Sequence, residues 1–367
     1  MRVIVVGAGV VGCAVAFECS RRGARVQVLD SRSPGGGATY ASAGILAPYI
    51  EGHSPPLQAL CVGGLAAYDA FLARLQGAVA TLPEYGRGGT LQAAFDDDGA
   101  RGLTESAGQL AEMGVPHRLL GGAAARALEP GLSDRVVAAL EIPEHGYVSP
   151  TALVDALVEG ASVHGATFAR ADATAIESSG STAVVRAGAS SFEADAVVLA
   201  AGSWVTRLCA PPAPGHALSP VRPIRGQLLH LRSAAPVATR VLWGPSCYVV
   251  PRRDGSVLVG ATVEDVGFDE RATLGGVRAM ADAAQALVPG LDWAVLEEVR
   301  VGLRPATPDE LPIVGPSATM PQVYFASGHY RNGVLLAPLT AELVADLVLE
   351  QRAGAELSGL HPTRFGL

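Results

Sequence analysis

There is no lysine in this 367-residue chain, so all 27 basic side chains are arginine. That absence removes Schiff-base chemistry on a side-chain amine and the phosphate-binding lysine of a P-loop. Basic runs are missing too. Acidic residues outnumber basic ones by 35 to 27, giving a net charge of −8, which argues against a nucleic-acid partner. Cysteine is sparse: Cys13, Cys19, Cys61, Cys209 and Cys247 form no C-x-x-C pair and no metal-ligand cluster. No metal is therefore expected, and a reducing, cytoplasmic compartment fits free, packed thiols. Charged residues are only 17% against 49% hydrophobic, the reverse of a disordered composition. The 44 glycines and 25 prolines follow no period, which excludes collagen and linker repeats. No segment shows the roughly 20 continuous apolar residues of a membrane span. A homo-oligomer is compatible with the composition, which does not fix the assembly.

What is present is concentrated first at the amino terminus. Val3 to Phe17 is apolar, and Ala14-Val15-Ala16 faintly resembles a signal-peptidase site. Only Arg2 precedes it, however, and Gly7, Gly9 and Gly12 interrupt it. The stronger reading is a strand over Val3–Val6, the turn Gly7-Ala8-Gly9-Val10-Val11-Gly12, a helix to about Arg22, and a second strand over Val26–Leu29 that ends at Asp30. This is a βαβ dinucleotide fingerprint. Gly7 allows the tight turn, Gly9 the approach of a pyrophosphate, and Gly12 close helix–strand packing. The helix N-terminus attracts the anion, and Asp30 stands where a ribose hydroxyl needs an acceptor.

Further on, small residues fill Pro34–Ser42 and lead into Ala43-Gly44-Ile45-Leu46-Ala47-Pro48, a stretch suited to lie along a planar ligand. Periodicity predicts helices at 57–76, 103–113, 122–128 and 151–164, the last opened by Ser149-Pro150. Strands are expected at 173–177, 183–186, 226–232, 247–252, 256–261 and 323–326, with a helix over 273–287 capped by Thr273 and another from about 337 to 351. Val197-Val198-Leu199-Ala200-Ala201-Gly202 is a second strand-to-glycine turn, and 211–223 is a Pro-rich crossing. The layout implies an α/β fold: a discontinuous Rossmann-like domain of 1–50, 145–210 and 300–367, with a second, sheet-rich α+β domain of 51–144 and 211–299.

Five segments are similar to the D-amino-acid-oxidase superfamily, and within it to the glycine oxidase (ThiO-type) branch. They are Gly7–Gly12, Ser42-Ala43-Gly44-Ile45-Leu46, Cys247-Tyr248-Val249-Val250-Pro251-Arg252, Gly302-Leu303-Arg304-Pro305, and the long string Gly328 to Pro338. The resemblance runs nearly end to end and implies FAD. It places Gly7, Gly9, Val10, Val11 and Gly12 on the pyrophosphate, Asp30 and Ser31 on the adenosine ribose, and Ala173 on adenine. Ala38, Thr39, Ala43, Gly44 and Ile45 would run along the pyrophosphate and isoalloxazine, with Gly202 at the second turn. His329, Tyr330, Arg331, Asn332, Gly333, Val334 and Leu335 would form the loop over the flavin pyrimidine end, where a following helix favours developing negative charge. Tyr248, Arg304 and Arg331 match the substrate positions, and arginine supplies the planar fork of donors that a carboxylate wants. No acid or base catalyst is implied, and His53, His117 and His164 read as surface or core histidines.

Three departures bear on specificity and attachment. Ser246 stands where relatives often carry histidine, and Gly35-Gly36-Gly37 lacks an arginine that relatives hold there. Gly302 occupies the position of the flavin-tethering cysteine of sarcosine oxidases, so FAD is expected without a covalent bond. The resemblance implies an oxidase of glycine or a small N-substituted amino acid that yields a 2-oxo acid such as glyoxylate and hydrogen peroxide, and it suggests thiamine precursor synthesis. A dehydrogenase of the same fold passing electrons to a quinone, an N-substituted-glycine oxidase of secondary metabolism, and a flavin-binding protein without turnover stay open beside it.

Overall fold

A computed structural model of the chain describes residues 1–208, 220–352 and 354–367. Cys209 and most of the Pro-rich stretch 211–223 lie outside these residues. Strand β1 (Arg2–Val6), helix α1 (Val10–Arg21) and strand β2 (Arg25–Asp30) follow the predicted βαβ order to within a residue or two. β1 lies inside a six-stranded sheet with the spatial order 313–316, 323–327, 196–199, 2–6, 25–30, 167–170. All neighbours run parallel except the 313–316 edge strand.

Both faces of this sheet are covered, which is why β1 reads as an unbroken apolar run. Val3 and Val5 join the cluster built by the helices, while Ile4 and Val6 join a second cluster under the three-stranded meander 175–194. The helical layer is α1, helix α2 (Pro55–Gln76), and the helices Pro150–Val163 and Gly333–Ala345. α2 was grouped with the second domain by the expected boundaries. Its buried stripe, Leu57, Leu65, Tyr68, Phe71 and Leu75, instead shares a cluster with Val3 and Phe17. α2 is also long and apolar enough to cross a membrane by length and composition. Its apolar side is occupied by protein, with Phe17 and Phe71 meeting edge to face at 5.9 Å.

The C-terminal helix begins at Gly333 rather than near residue 337. Pro338 makes a start at 337 attractive, because proline is tolerated in a first helical turn. In the fold Pro338 lies inside the helix, where it cannot donate to the carbonyl four residues back. That carbonyl is Val334 O, and the fully buried Tyr68 donates its hydroxyl to it at 2.5 Å. α2 thereby repairs the bond that proline removes.

The second sheet has eight strands in the order 295–306, 222–232, 256–260, 248–251, 241–243, 90–94, 138–142, 118–121. The strand 295–306 spans the expected boundary at residue 300. The expected strands near 226, 248 and 256 and the helix at 274–287 are present, and Thr273 Oγ1 caps that helix by accepting from Gly276 N. Period-2 alternation sorts this sheet's side chains. Leu229, Leu231, Val249, Val257 and Val259 pack with Met280, Ala284 and Leu287 of the helix. Leu228, Val250 and Leu258 face the other way, toward Ala43, Ile45 and Tyr248. By the same parity Gly226, Gly260, Gly302 and Arg304 share that second face.

Candidate active site

A cavity of about 620 Å³ runs between the two sheets. One end is bounded by Asp30, Ser31, Arg32 and Ala173; the other by Tyr248, Arg304 and Arg331. Every predicted cofactor and substrate residue lines it except Gly12. A Cβ at Gly12 would stand 1.9 Å from Gly7 O, so Gly12 sits behind the turn and lets α1 close upon it. Gly7 itself has φ +109°, and a Cβ there would strike Ala200 O at 2.4 Å. Only glycine lets the first turn and the turn after strand 196–199 meet.

The end bounded by Asp30 is built from backbone donors and one carboxylate. Asp30 Oδ2 accepts from Ala8 N at 2.7 Å and Oδ1 from Arg32 N at 2.8 Å. Each oxygen keeps a second lone pair for a hydroxyl. Gly9 caps α1 without a side chain, so the positive end of the helix opens to the cavity, and Thr39 Oγ1 accepts from Val10 N at 3.1 Å. A glycine cradle, an open helix terminus and a carboxylate in this order fit the pyrophosphate and ribose of a dinucleotide.

The middle of the cavity is a pinned strip. Arg252 Nη2 donates to Ala43 O at 2.5 Å, and its guanidinium lies 4.5 Å from the Tyr147 ring centre. Burial pushes the Arg252 pKa down. Opposite, His329 is buried and shares a 3.0 Å hydrogen bond between Nε2 and Thr340 Oγ1; burial pushes its pKa down to about 4, so it is neutral at neutral pH. Asn332 precedes the helix, and Gly333, Val334 and Leu335 of its first turn line the cavity. The earlier helix start therefore puts the first turn, whose N–H groups have no intrahelical acceptor, on the cavity wall.

At the far end, Tyr248 and Gly260 are cross-strand partners, and a Cβ at 260 would lie 2.5 Å from Tyr248 Oη. Burial raises the Tyr248 pKa, so the phenol stays protonated and can donate. Arg304 lies over Gly226, where a Cβ would be 2.3 Å from Nη2. Its Nη1 donates to Thr262 O at 3.0 Å and to Arg225 O at 3.4 Å; among the described residues no carboxylate pairs with it. Arg331 differs. Its Nη1 donates to Glu51 Oε1 at 3.0 Å, and its guanidinium lies 5.1 Å from the Tyr330 ring centre.

Sequence reasoning missed Gly226, Glu51, Arg32, Trp204 and Arg207, all of which line the cavity. Gly226 had a signal: an isolated glycine within a strand marks a close approach. Glu51 had none, because Arg331 lies 280 residues away. Arg32 makes two hydrogen bonds to Glu270, at 2.8 and 2.7 Å, and lies 4.6 Å from the Trp204 ring centre.

Residues 2–347 match the family described as FAD dependent oxidoreductase. The bifunctional protein ThiO/ThiG of Nostoc sp. is 35% identical over 99% of the chain, which covers 55% of that protein. The chain thus spans about half the length of the first curated relatives it matches. Glycine oxidase of Geobacillus kaustophilus is 34% identical, with 99% of this chain and 96% of that one covered. The crystal structure of a glycine oxidase from the same species superposes with a TM-score of 0.93 at 33% identity, over 99% of both chains. Iminodiacetate oxidase from Chelativorans sp. superposes with a TM-score of 0.90 at 29% identity, over 98% of this chain and 99% of that one.

Proposed function

Because the chain belongs to the FAD dependent oxidoreductase family, we propose that it oxidises glycine or a small N-substituted amino acid. The observation that carries this reading is Arg304, a cationic fork at the cavity's end that no carboxylate of the described chain neutralises. An amino-acid carboxylate supplies the missing anion, bound by parallel hydrogen bonds from the Arg304 guanidinium, with the Tyr248 hydroxyl as a further donor.

FAD, which Gly7, Gly9, Asp30 and the first turn after Asn332 would hold, would supply a two-electron acceptor for the substrate's Cα hydride and a route for those electrons to oxygen, giving hydrogen peroxide. The chain's own groups bind and orient. Arg304 and Tyr248 fix the carboxylate, which turns the Cα–H toward the centre of the cavity. The amine reacts in its neutral form, its lone pair replacing the electrons lost from Cα. The resulting imine then takes up water and gives a 2-oxo acid and ammonia or an amine. His329 makes a poor base, because burial holds its pKa down at about 4 and its Nε2 is engaged with Thr340. Ser246 lines the cavity where relatives often carry histidine, and its small size favours N-alkylated substrates beside glycine. Glycine as substrate would fit the supply of a thiamine precursor. The cysteines at 13, 19, 61 and 247 are free and buried, in keeping with a reducing compartment.

An amine panel of glycine, sarcosine, N-ethylglycine, D-alanine and D-proline tests the reading, with flavin bleaching under nitrogen and peroxide formation in air as readouts. Bleaching by glycine or sarcosine with peroxide on re-aeration is expected. Bleaching without peroxide, reversed by a quinone, would make the protein a dehydrogenase, and a flavin that no amine bleaches would end the oxidase reading.

A further inference from the structure

The substrate end of the cavity contains two arginines, and only one keeps its charge unbalanced. Glu51 lines the same cavity with its side chain 17% exposed and holds Arg331 in a 3.0 Å ion pair. Arg304, Glu51 and Arg331 all stand close enough to Tyr248 to act on its ionisation. Around the Tyr248 hydroxyl there are therefore two positive groups and one negative. Of the other charged groups lining the cavity, Asp30 and Arg32 sit where β2 ends, with Arg32 paired to Glu270, Asp172 adjoins Ala173, and Arg207 lies over the Phe268 ring; none of them acts on Tyr248. A substrate with one carboxylate neutralises the Tyr248 end. A second carboxylate leaves it with an excess negative charge in a partly desolvated space.

We propose that Glu51 sets the charge limit of the substrate: by neutralising Arg331 it makes this a monocarboxylate site and rejects N-substituents that carry a second carboxylate. The inference rests on the amino-acid oxidase reading above and adds the substrate's charge to it. A second carboxylate could reach Arg331 only by displacing Glu51, which exchanges one anion for another and leaves the Glu51 charge unpaired. A neutral N-substituent of the same size makes no such demand. The repulsive element is thus the protein's own carboxylate, and size plays no part in the discrimination.

The test compares two ligands of equal shape, iminodiacetate and its half-amide N-(carbamoylmethyl)glycine, on the purified holoenzyme. Both kcat/KM and Kd, the latter from the flavin absorbance change, are measured for wild type, Glu51→Gln, Glu51→Asp and Arg331→Gln. Wild type should favour the half-amide by about tenfold or more, and Glu51→Gln should move the ratio toward the dicarboxylate by about tenfold. Glu51→Asp, which retains the charge, should keep the wild-type ratio. Arg331→Gln, which removes the cation, should move the ratio the opposite way. A wild type indifferent to the second charge overturns the proposal, as does a ratio that Glu51→Gln leaves unchanged or that Arg331→Gln shifts in the same direction. If wild type oxidises no amino acid at all, the oxidase reading fails, and the binding ratios still decide the charge limit.

Discussion

Arg304 is placed by two backbone carbonyls and by the missing side chain at Gly226, so its charge is available to a ligand. Arg304→Leu should lower kcat/KM for the substrate by about 2–4 kcal/mol, mostly through KM, because a desolvated charge pair is lost. Flavin content per chain should stay at the wild-type level. Turnover of glycine at the wild-type KM would remove Arg304 from the site, whereas loss of flavin would make it a structural residue. Asp30 works at the other end, ordering the first glycine turn through Ala8 N while lining the cavity. Asp30→Ala should release FAD on dilution or gel filtration, yet leave the FAD-saturated kcat close to normal. Retention as tight as wild type would show that the carboxylate bears no cofactor contact. These two residues were legible in the sequence because each carries a local mark: an acid that ends an apolar run, and a cation inside the short apolar stretch Val301–Pro305. Glu51 carries no such mark, since its meaning depends on a guanidinium from the far end of the chain.

The strand 222–232 and the loop 261–273 meet through one carboxylate, and Gln227 extends the contact to Thr273 at the start of the next helix. Glu264 accepts from Arg225 at 2.5 Å, Gln227 at 2.7 Å and Thr262 at 2.6 Å. Burial alone would raise its pKa, but these three donors outweigh burial and bring it down from 4.5 to about 2. A depressed carboxyl stabilises the fold above its ordinary pKa and loses that contribution as the pH falls through the folded value. The gap in urea midpoint between wild type and Glu264→Gln should therefore be largest above pH 5 and close toward pH 2. A gap that is constant over this range would mean that Glu264 is not held ionised by these partners. The last helix makes a separate claim on its neighbour: Tyr68→Phe leaves Val334 O without its donor, at a cost of about 1–3 kcal/mol. Thermal unfolding of the variant should show it, and an unchanged midpoint would mean that the carbonyl finds another donor. The helix start at Gly333 was hidden from the sequence for this reason. A proline reads as a first-turn residue unless the hydroxyl that rescues the turn is known, and Tyr68 lies on another helix.

Across the whole molecule, the βαβ unit and the helix at 274–287 were readable because local signals specify them: glycine spacing, apolar period and a threonine cap. The strands 90–94, 118–121, 138–142 and 295–306 were not, because their pairing is remote; Val241–Trp243 runs parallel to Thr90–Gln92. The cofactor's attachment is a property of the whole cavity. Its one lining thiol among the described residues is Cys247, which burial holds protonated with a pKa of about 12, and Gly302 packs against Ala38 and Ala41. Acid precipitation should leave all the yellow colour in the supernatant, and colour retained in the pellet would reveal a covalent bond.

The interleaving of the chain also sets a schedule for biosynthesis. β1 and α1 are synthesised before their partners, since their neighbours in the sheet and helical layer include the strand at 196–199 and the helix at 333–345. The cavity takes walls from residues as far apart in the chain as Gly7 and Leu335. A nascent chain that has not yet delivered residue 335 exposes its first apolar strand and has no place to hold a flavin. The cofactor can be loaded only after translation has passed this point, and a product stalled before it would expose unpaired apolar surface to chaperones and proteases.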